Sequence, residues 1–161
     1  MALLHIYVDA DGCPVKNEVY RVAQRYSLQV TLVANSWMRT PPHAWLHLEV
    51  VEDLFDAADD WIVENVAEDD IVIAGDIPLV SRCLKNGAQA ISPRGKLFTE
   101  DDIGETLGTR DLMTHLRDIG EITGGPPPFS QHDRSRFLQR LDEVIQKIKR
   151  RAERRRRRSQ E

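Results

Sequence analysis

The chain has 161 residues, 41% hydrophobic and 30% charged, enough to bury one core without disulfide or metal staples. No apolar run approaches the length of a membrane span, and two cysteines, Cys13 and Cys83, are too few for a disulfide framework or a thiolate zinc site. The net charge of −4 conceals an asymmetry: residues 149–161 hold eight basic and two acidic residues, leaving a body with 14 basic and 24 acidic residues.

The first residues form a short apolar stretch without a basic leader and run straight into acids, so no signal peptide and a reducing cytoplasm are expected. Residues 3–8 read as a strand. Pro14 stands where a helix begins, with Val15, Val19, Val22 and Ala23 at helical spacing. Residues 28–34 and 46–51 are further strands, separated by a loop over 35–44 that contains Pro41 and Pro42. Residues 53–66 read as a helix with Leu54, Ala58, Trp61, Ile62 and Asn65 along one side. A short apolar strand over 71–74 follows, then a helix over 78–86 closed by Gly87, then a strand over 88–92. This alternation predicts an α/β fold with a mostly parallel central sheet between layers of helices.

The second half is helical. Thr99 opens a capping box, and residues 110–119 form a short helix with Leu112, Leu116 and Ile119 inward. Residues 124–129, GGPPPF, break the chain before a last helix over about 130–150. In that helix Phe137, Leu141, Val144, Ile145 and Ile148 make an apolar stripe that packs on the domain spanning 1–148. Beyond it, residues 149–161 are expected to be a basic, disordered tail or a frayed helix end.

Open α/β sheets bind ligands beyond the carboxyl ends of their strands. Two strands here run into aspartates: Asp9, with Asp11 in the following turn, and Asp76. On the intervening helix Asp56, Asp59 and Asp60 share a face. Clustered carboxylates repel and drift toward their neutral forms unless a cation joins them, and hard cations such as Mg²⁺ or Mn²⁺ prefer such oxygens. Each aspartate taken singly reads as readily as a helix cap, and Asp60 as solvated. The set together points to a metal site, with Asp9, Asp56, Asp59 and Asp76 as ligands. Lys16, in the first turn of the first helix, Asn35, at the end of the second strand, and Arg94, after the fifth, are the candidates for holding substrate. Arg110 and Arg134 are weaker candidates of the same kind, Trp37 and Met38 could pack or stack on a base, and the five histidines and Cys13 read as structural.

The opening IYVDADG resembles haloacid-dehalogenase phosphatases, which implies Asp9 as nucleophile and Asp11 as general acid. That family places a lysine ahead of its last acidic motif, and no lysine lies between Lys16 and Lys85. The placement of Asp9, Asp59 and Asp76 resembles PIN-like nuclease domains more closely. More closely still, VDADGCPVK (8–16), VAN (33–35), FDAADDWI (55–62), IAGDIPLV (73–80), SPRG (92–95) and TGGPPPFSQHDRSRF (123–137) resemble the YaiI/YqxD family of uncharacterised bacterial proteins. Gly75 departs from the threonine or alanine expected there. The resemblance implies a three-layer PIN-like fold and supplies no reaction.

The leading expectation is a Mg²⁺- or Mn²⁺-dependent phosphodiesterase acting on RNA or another nucleic acid, with Asp9, Asp11, Asp59 and Asp76 catalytic and the basic tail drawing the polyanion. A non-catalytic PIN-like binding module and an Asp9 phosphatase are the alternatives. Oligomeric state is not legible.

Overall fold

The computed structural model describes residues 3–52, 54, 56–104 and 127–160. Five strands form one all-parallel sheet: β1 (His5–Asp9), β2 (Gln29–Ala34), β3 (Leu46–Val50), β4 (Ile71–Ile73) and β5 (Gln89–Ile91), in the order β3-β2-β1-β4-β5. The chain therefore builds outward from β1 in one direction and then restarts at β4 on its other side. Val8 pairs with Ile73 across this junction, and Asp9 pairs with Val33 on the β2 side. The junction of β1 and β4 is the topological switch point, where neighbouring crossovers diverge and leave a crevice at the strands' carboxyl ends.

Four helices are labelled here: α1 (Lys16–Tyr26), α2 (Ala57–Asn65), α3 (Ile77–Lys85) and α4 (Gln131–Gln160). Strand alternation sorts the core into two layers. Ile6, Val8, Val30 and Leu32 pack with Val19 of α1 and with Phe137, Leu141 and Ile145 of α4. Tyr7, Val33, Val72 and Ala90 face the other way, against Ile62 of α2 and Leu79 and Cys83 of α3. The parity continues to the strand end, so Asp9 is directed to the α2 side.

The helix expected over 53–66 is shorter, because Asp56 adopts a left-handed backbone at φ 61° and α2 cannot extend through it. Ala58 and Ile62 are its buried side, whereas Leu54 is 64% exposed and Asn65 lies at the surface. α3 ends as expected: Asn86 N–H donates to the Cys83 carbonyl and Gly87, at φ 85°, follows. Thr99 Oγ1 accepts from Asp102 N–H at 3.2 Å, starting a helical turn over 100–104. The helix expected over 110–119 lies outside the described residues.

α4 opens on a reciprocal cap: Asp133 N–H donates to Ser130 Oγ at 3.3 Å, and Ser130 N–H donates to Asp133 Oδ2 at 2.9 Å. Its apolar stripe, Phe137 to Ile148, is buried as expected. Beyond residue 148, where a disordered tail or a frayed helix end is expected, α4 continues through Gln160. Arg and Ala favour helix, and Arg151 and Arg155 tie the segment to Asp69 at 3.3 and 3.5 Å. No helix among the described residues is long and apolar enough to cross a membrane.

Candidate functional site

At the β1/β4 switch point lies a cavity of about 220 Å³. Asp9, Asp11, Asn35, Asp56, Asp59 and Asp76 line it, with Leu54 at its rim. They arrive from several elements. Asp9 ends β1 and Asp11 sits in the next turn. Asn35 follows β2, Asp56 and Asp59 open α2, and Asp76 joins β4 to α3. All five carboxylates proposed from the sequence for chemistry or metal binding thus share one cavity.

Their electrostatics differ. Burial pushes the Asp9 carboxyl up to about 6, and the charges of Asp59, Asp11 and Asp76 add to it. Asp59 is also pushed up to about 6, first by burial, then by Asp76 and Asp56, against a partly compensating Arg82. Among the described residues no hydrogen-bond donor reaches either carboxylate. Asp60, one residue on, turns outward to Arg82 at 2.9 Å, in line with its expected solvated role.

Two members also hold structure. Asp76 caps α3 by accepting Leu79 N–H at 3.3 Å, and Asp11 accepts the Asn35 N–H at 2.9 Å. The bonds anchor these side chains, each leaving a second carboxylate oxygen. The Asn35 contribution is thus its main-chain N–H, which holds Asp11 in place.

Carboxylates of like charge stand apart, and among the described residues no three His, Cys, Asp or Glu side chains close on a common point as metal ligands do. The donor set nonetheless suits a hard divalent ion: all oxygen, in charge excess, with Asp9 and Asp59 raised by burial and by neighbouring carboxylates. Among the described residues no lysine or arginine lines the cavity to offset that charge.

Comparison with known proteins supplies the lineage. A profile described as "uncharacterized BCR, YaiI/YqxD family" matches residues 7–147. This chain belongs to that family. A UPF0178 protein of Rhodopseudomonas palustris (strain TIE-1) is 58% identical over 150 residues, covering 93% of this chain and 95% of its own. Similar UPF0178 proteins occur in Nitrobacter winogradskyi, 52% identical over 150 residues with 93% and 96% covered, and in Paramagnetospirillum magneticum, 53% identical over 145 residues with 90% and 96% covered. No solved structure matches.

Two residues proposed for substrate binding in this YaiI/YqxD-family chain stand away from the cavity. Lys16 Nζ donates to the Cys13 carbonyl at 3.1 Å, folding the side chain back over its own helix start. Arg94 is drawn to α4: it pairs with Asp133 at 3.1 Å and donates to the Pro127 carbonyl. Arg94 and Arg134 both lie over the Phe129 ring, 5.7 and 5.0 Å from its centroid, and Arg134 also donates to the Pro14 carbonyl at 2.6 Å. The described part of the TGGPPPFSQHDRSRF motif, residues 127–137, therefore clamps α4 onto the carboxyl edge of the sheet.

Among other residues, Met38 packs against the core, whereas Trp37, two residues past Asn35, is 74% exposed. His5 and His43 stack on Tyr7 and Trp45, as structural histidines do. Cys13 and Cys83 are buried free thiols raised by burial, Cys83 to about 11, which leaves them unreactive. Sequence reasoning overlooked Asp133 as the partner of Arg94. The S-x-x-D spacing at Ser130 is that of a helix cap and gives no sign of the second role.

Proposed function

We propose that this YaiI/YqxD-family chain is a divalent-metal-dependent phosphodiesterase acting on RNA or another nucleic acid. The observation that carries the reading is the convergence of Asp9, Asp11, Asp56, Asp59 and Asp76 on one cavity at the switch point of a parallel sheet. Asp9, Asp59 and Asp76 would hold Mg²⁺ or Mn²⁺, with Asp56 completing the ligand set. A metal bound there would offset the carboxylate charge and stabilise the charge that develops on a phosphate oxygen.

The chain's own residues do the remaining work. Asp11, fixed through the Asn35 N–H, is placed to accept a proton from an attacking water. The placement of the three aspartates on β1, α2 and after β4 is the one expected of PIN-like domains, which supports nuclease over phosphatase chemistry. The absence of a lysine from the cavity lining weighs against Asp9 as a phosphatase nucleophile.

A non-catalytic binding module is the second reading, favoured by the structural duties of Asp76 and Asp11. Calorimetric titration with Mn²⁺ separates them. Saturable binding in the wild type, lost in the Asp9→Asn/Asp76→Asn double variant, is expected of the enzyme. No binding, or binding the double variant retains, would overturn the metal site.

A further inference from the structure

Beyond β5 the chain makes a tight turn. Gly95 N–H donates to the Ser92 carbonyl and Ser92 N–H to the Lys96 carbonyl, both at 2.9 Å, and Leu97 bridges back to Ile91 in the antiparallel sense. This turn presses closely on α4. A Cβ on Gly95 would stand 2.7 Å from the Arg136 carbonyl carbon, and the residue's φ of +90° also favours glycine. Between turn and helix opens a cleft of about 530 Å³, walled by Arg94, Lys96, Arg136 and Arg140, with Gln139 and Glu143.

Charge in the cleft is unbalanced. Asp133, itself buried, accepts from both Arg94 at 3.1 Å and Arg136 at 2.9 Å, and Arg140 lies 3.9 Å from Glu143. Four cations thus meet two carboxylates, in a body whose net charge is strongly negative. Among the described residues the lining has no aliphatic or aromatic side chain, so the cleft suits charge recognition and not base stacking.

The cleft does not end at Arg140. At three- and four-residue steps, Arg136, Arg140, Lys147, Arg150, Arg154 and Arg158 lie on one flank of α4, broken by Glu143. Lys147, Arg150, Arg154 and Arg158 are exposed, whereas Arg151 and Arg155 turn toward Asp69. At about 1.5 Å per residue this stripe runs roughly 33 Å. That is the span of roughly ten nucleotides at a duplex spacing of about 3.4 Å per strand.

We propose that the cleft and the exposed stripe of α4 form a track for the phosphodiester backbone of nucleic acid, read without regard to sequence and separate from the carboxylate cavity. The inference rests on the reading that the substrate is a nucleic acid, but it requires no metal. Lys96 and the remaining N–H groups of Arg136 and Arg140 offer donors to a phosphate in the cleft, and the cations further along α4 take successive phosphates.

Fluorescence anisotropy with labelled oligouridylate and mixed-sequence RNA, on the full chain in EDTA, tests this. The expected result is similar affinity for both sequences, falling steeply with salt. Lys147, Arg150 and Arg154 have no protein partner among the described residues, so the K147Q/R150Q/R154Q variant leaves the fold intact. It should lose about ten-fold or more in affinity and about two from the salt slope. Lys96→Gln, which empties no ion pair, should weaken binding from the cleft side. Unchanged affinity and slope in both variants would overturn the track. So would pyrophosphate binding more tightly than RNA, or phosphatidylserine vesicles being bound while RNA is not. Mn²⁺ titration distinguishes the two proposals: track variants should keep metal binding, and the Asp9→Asn/Asp76→Asn variant should keep RNA binding in EDTA.

Discussion

Asp9, at the end of β1, shares its cavity with Asp59, in the first turn of α2, and after burial itself the Asp59 charge is what most favours a proton on Asp9. Two carboxylates placed together without a hydrogen-bond donor oppose folding when ionised. Both are raised from the usual 3.8 to about 6, so the folded chain takes up protons that the unfolded chain releases. The stabilising contribution of these groups is therefore full below about pH 4 and is lost as pH rises through about 6.

Asp9→Asn should accordingly raise the melting temperature at neutral pH in metal-free buffer, by about 1–2 kcal/mol of stability after solvent screening at the open rim is allowed for. The gain should vanish near pH 4, where wild-type Asp9 is already neutral. Melting curves across pH decide this, and an Asp9→Asn protein less stable than wild type at neutral pH would contradict the electrostatic reading.

Much of this cavity was legible because its members sit at positions that periodicity defines. An apolar run ending in Asp9, another ending ahead of Asp76, and α/β alternation bring both to one edge. Asp59 followed from helix spacing. What periodicity cannot convey is a side chain's choice of partner. Arg94 carries the same signature whether it meets a phosphate or Asp133, and its partner is 39 residues away. The left-handed backbone at Asp56 was equally hidden, because Asp tolerates that conformation without requiring it. The tail could be read as disorder or as a helix end because its charge suits both, while the acceptors that hold it, Asp69 and Glu68, lie far away in sequence.

Asp76 has two duties that substitution can separate. It caps α3 through Leu79 N–H, and its charge contributes to the cavity. Asn caps as well as Asp, so Asp76→Asn should abolish Mn²⁺ binding with stability little changed. Asp76→Ala should abolish binding and also cost about 1 kcal/mol for the lost cap. Denaturant melts beside calorimetry check both, and equal stability of the two variants would remove the capping role.

Gly95 sets how closely the 92–96 turn approaches α4. Gly95→Ala combines an unfavourable positive φ with a Cβ within 3 Å of three backbone atoms, those of Arg136 and Phe137. Backbone of α4 cannot yield as a flexible side chain does, so a loss of at least about 1–3 kcal/mol is expected. The same change should pry open the cleft and weaken RNA binding at low salt. Chemical denaturation reads the first effect and anisotropy the second. A Gly95→Ala protein as stable as wild type would show that the turn is not held against the helix.

The last turns of α4 offer a test in which stability and binding part company. Ile148 is the final buried residue of the apolar stripe, and beyond it the helix is held to the body by Arg151 and Arg155 on Asp69 and Glu68. Such partly exposed pairs are worth about 0–1 kcal/mol. Removing residues 149–161 should therefore leave the melting temperature nearly unchanged while lowering the helical circular-dichroism signal. It removes Arg150, Arg154 and Arg158 from the stripe and leaves the body's acidic charge unopposed, so RNA affinity should fall by about ten-fold or more at low salt. Mn²⁺ binding should persist, because no cavity residue is touched. A truncated chain that unfolds would place the tail in the core's stability instead. One that binds RNA as well as the full chain would limit the interaction to the cleft between the 92–96 turn and α4.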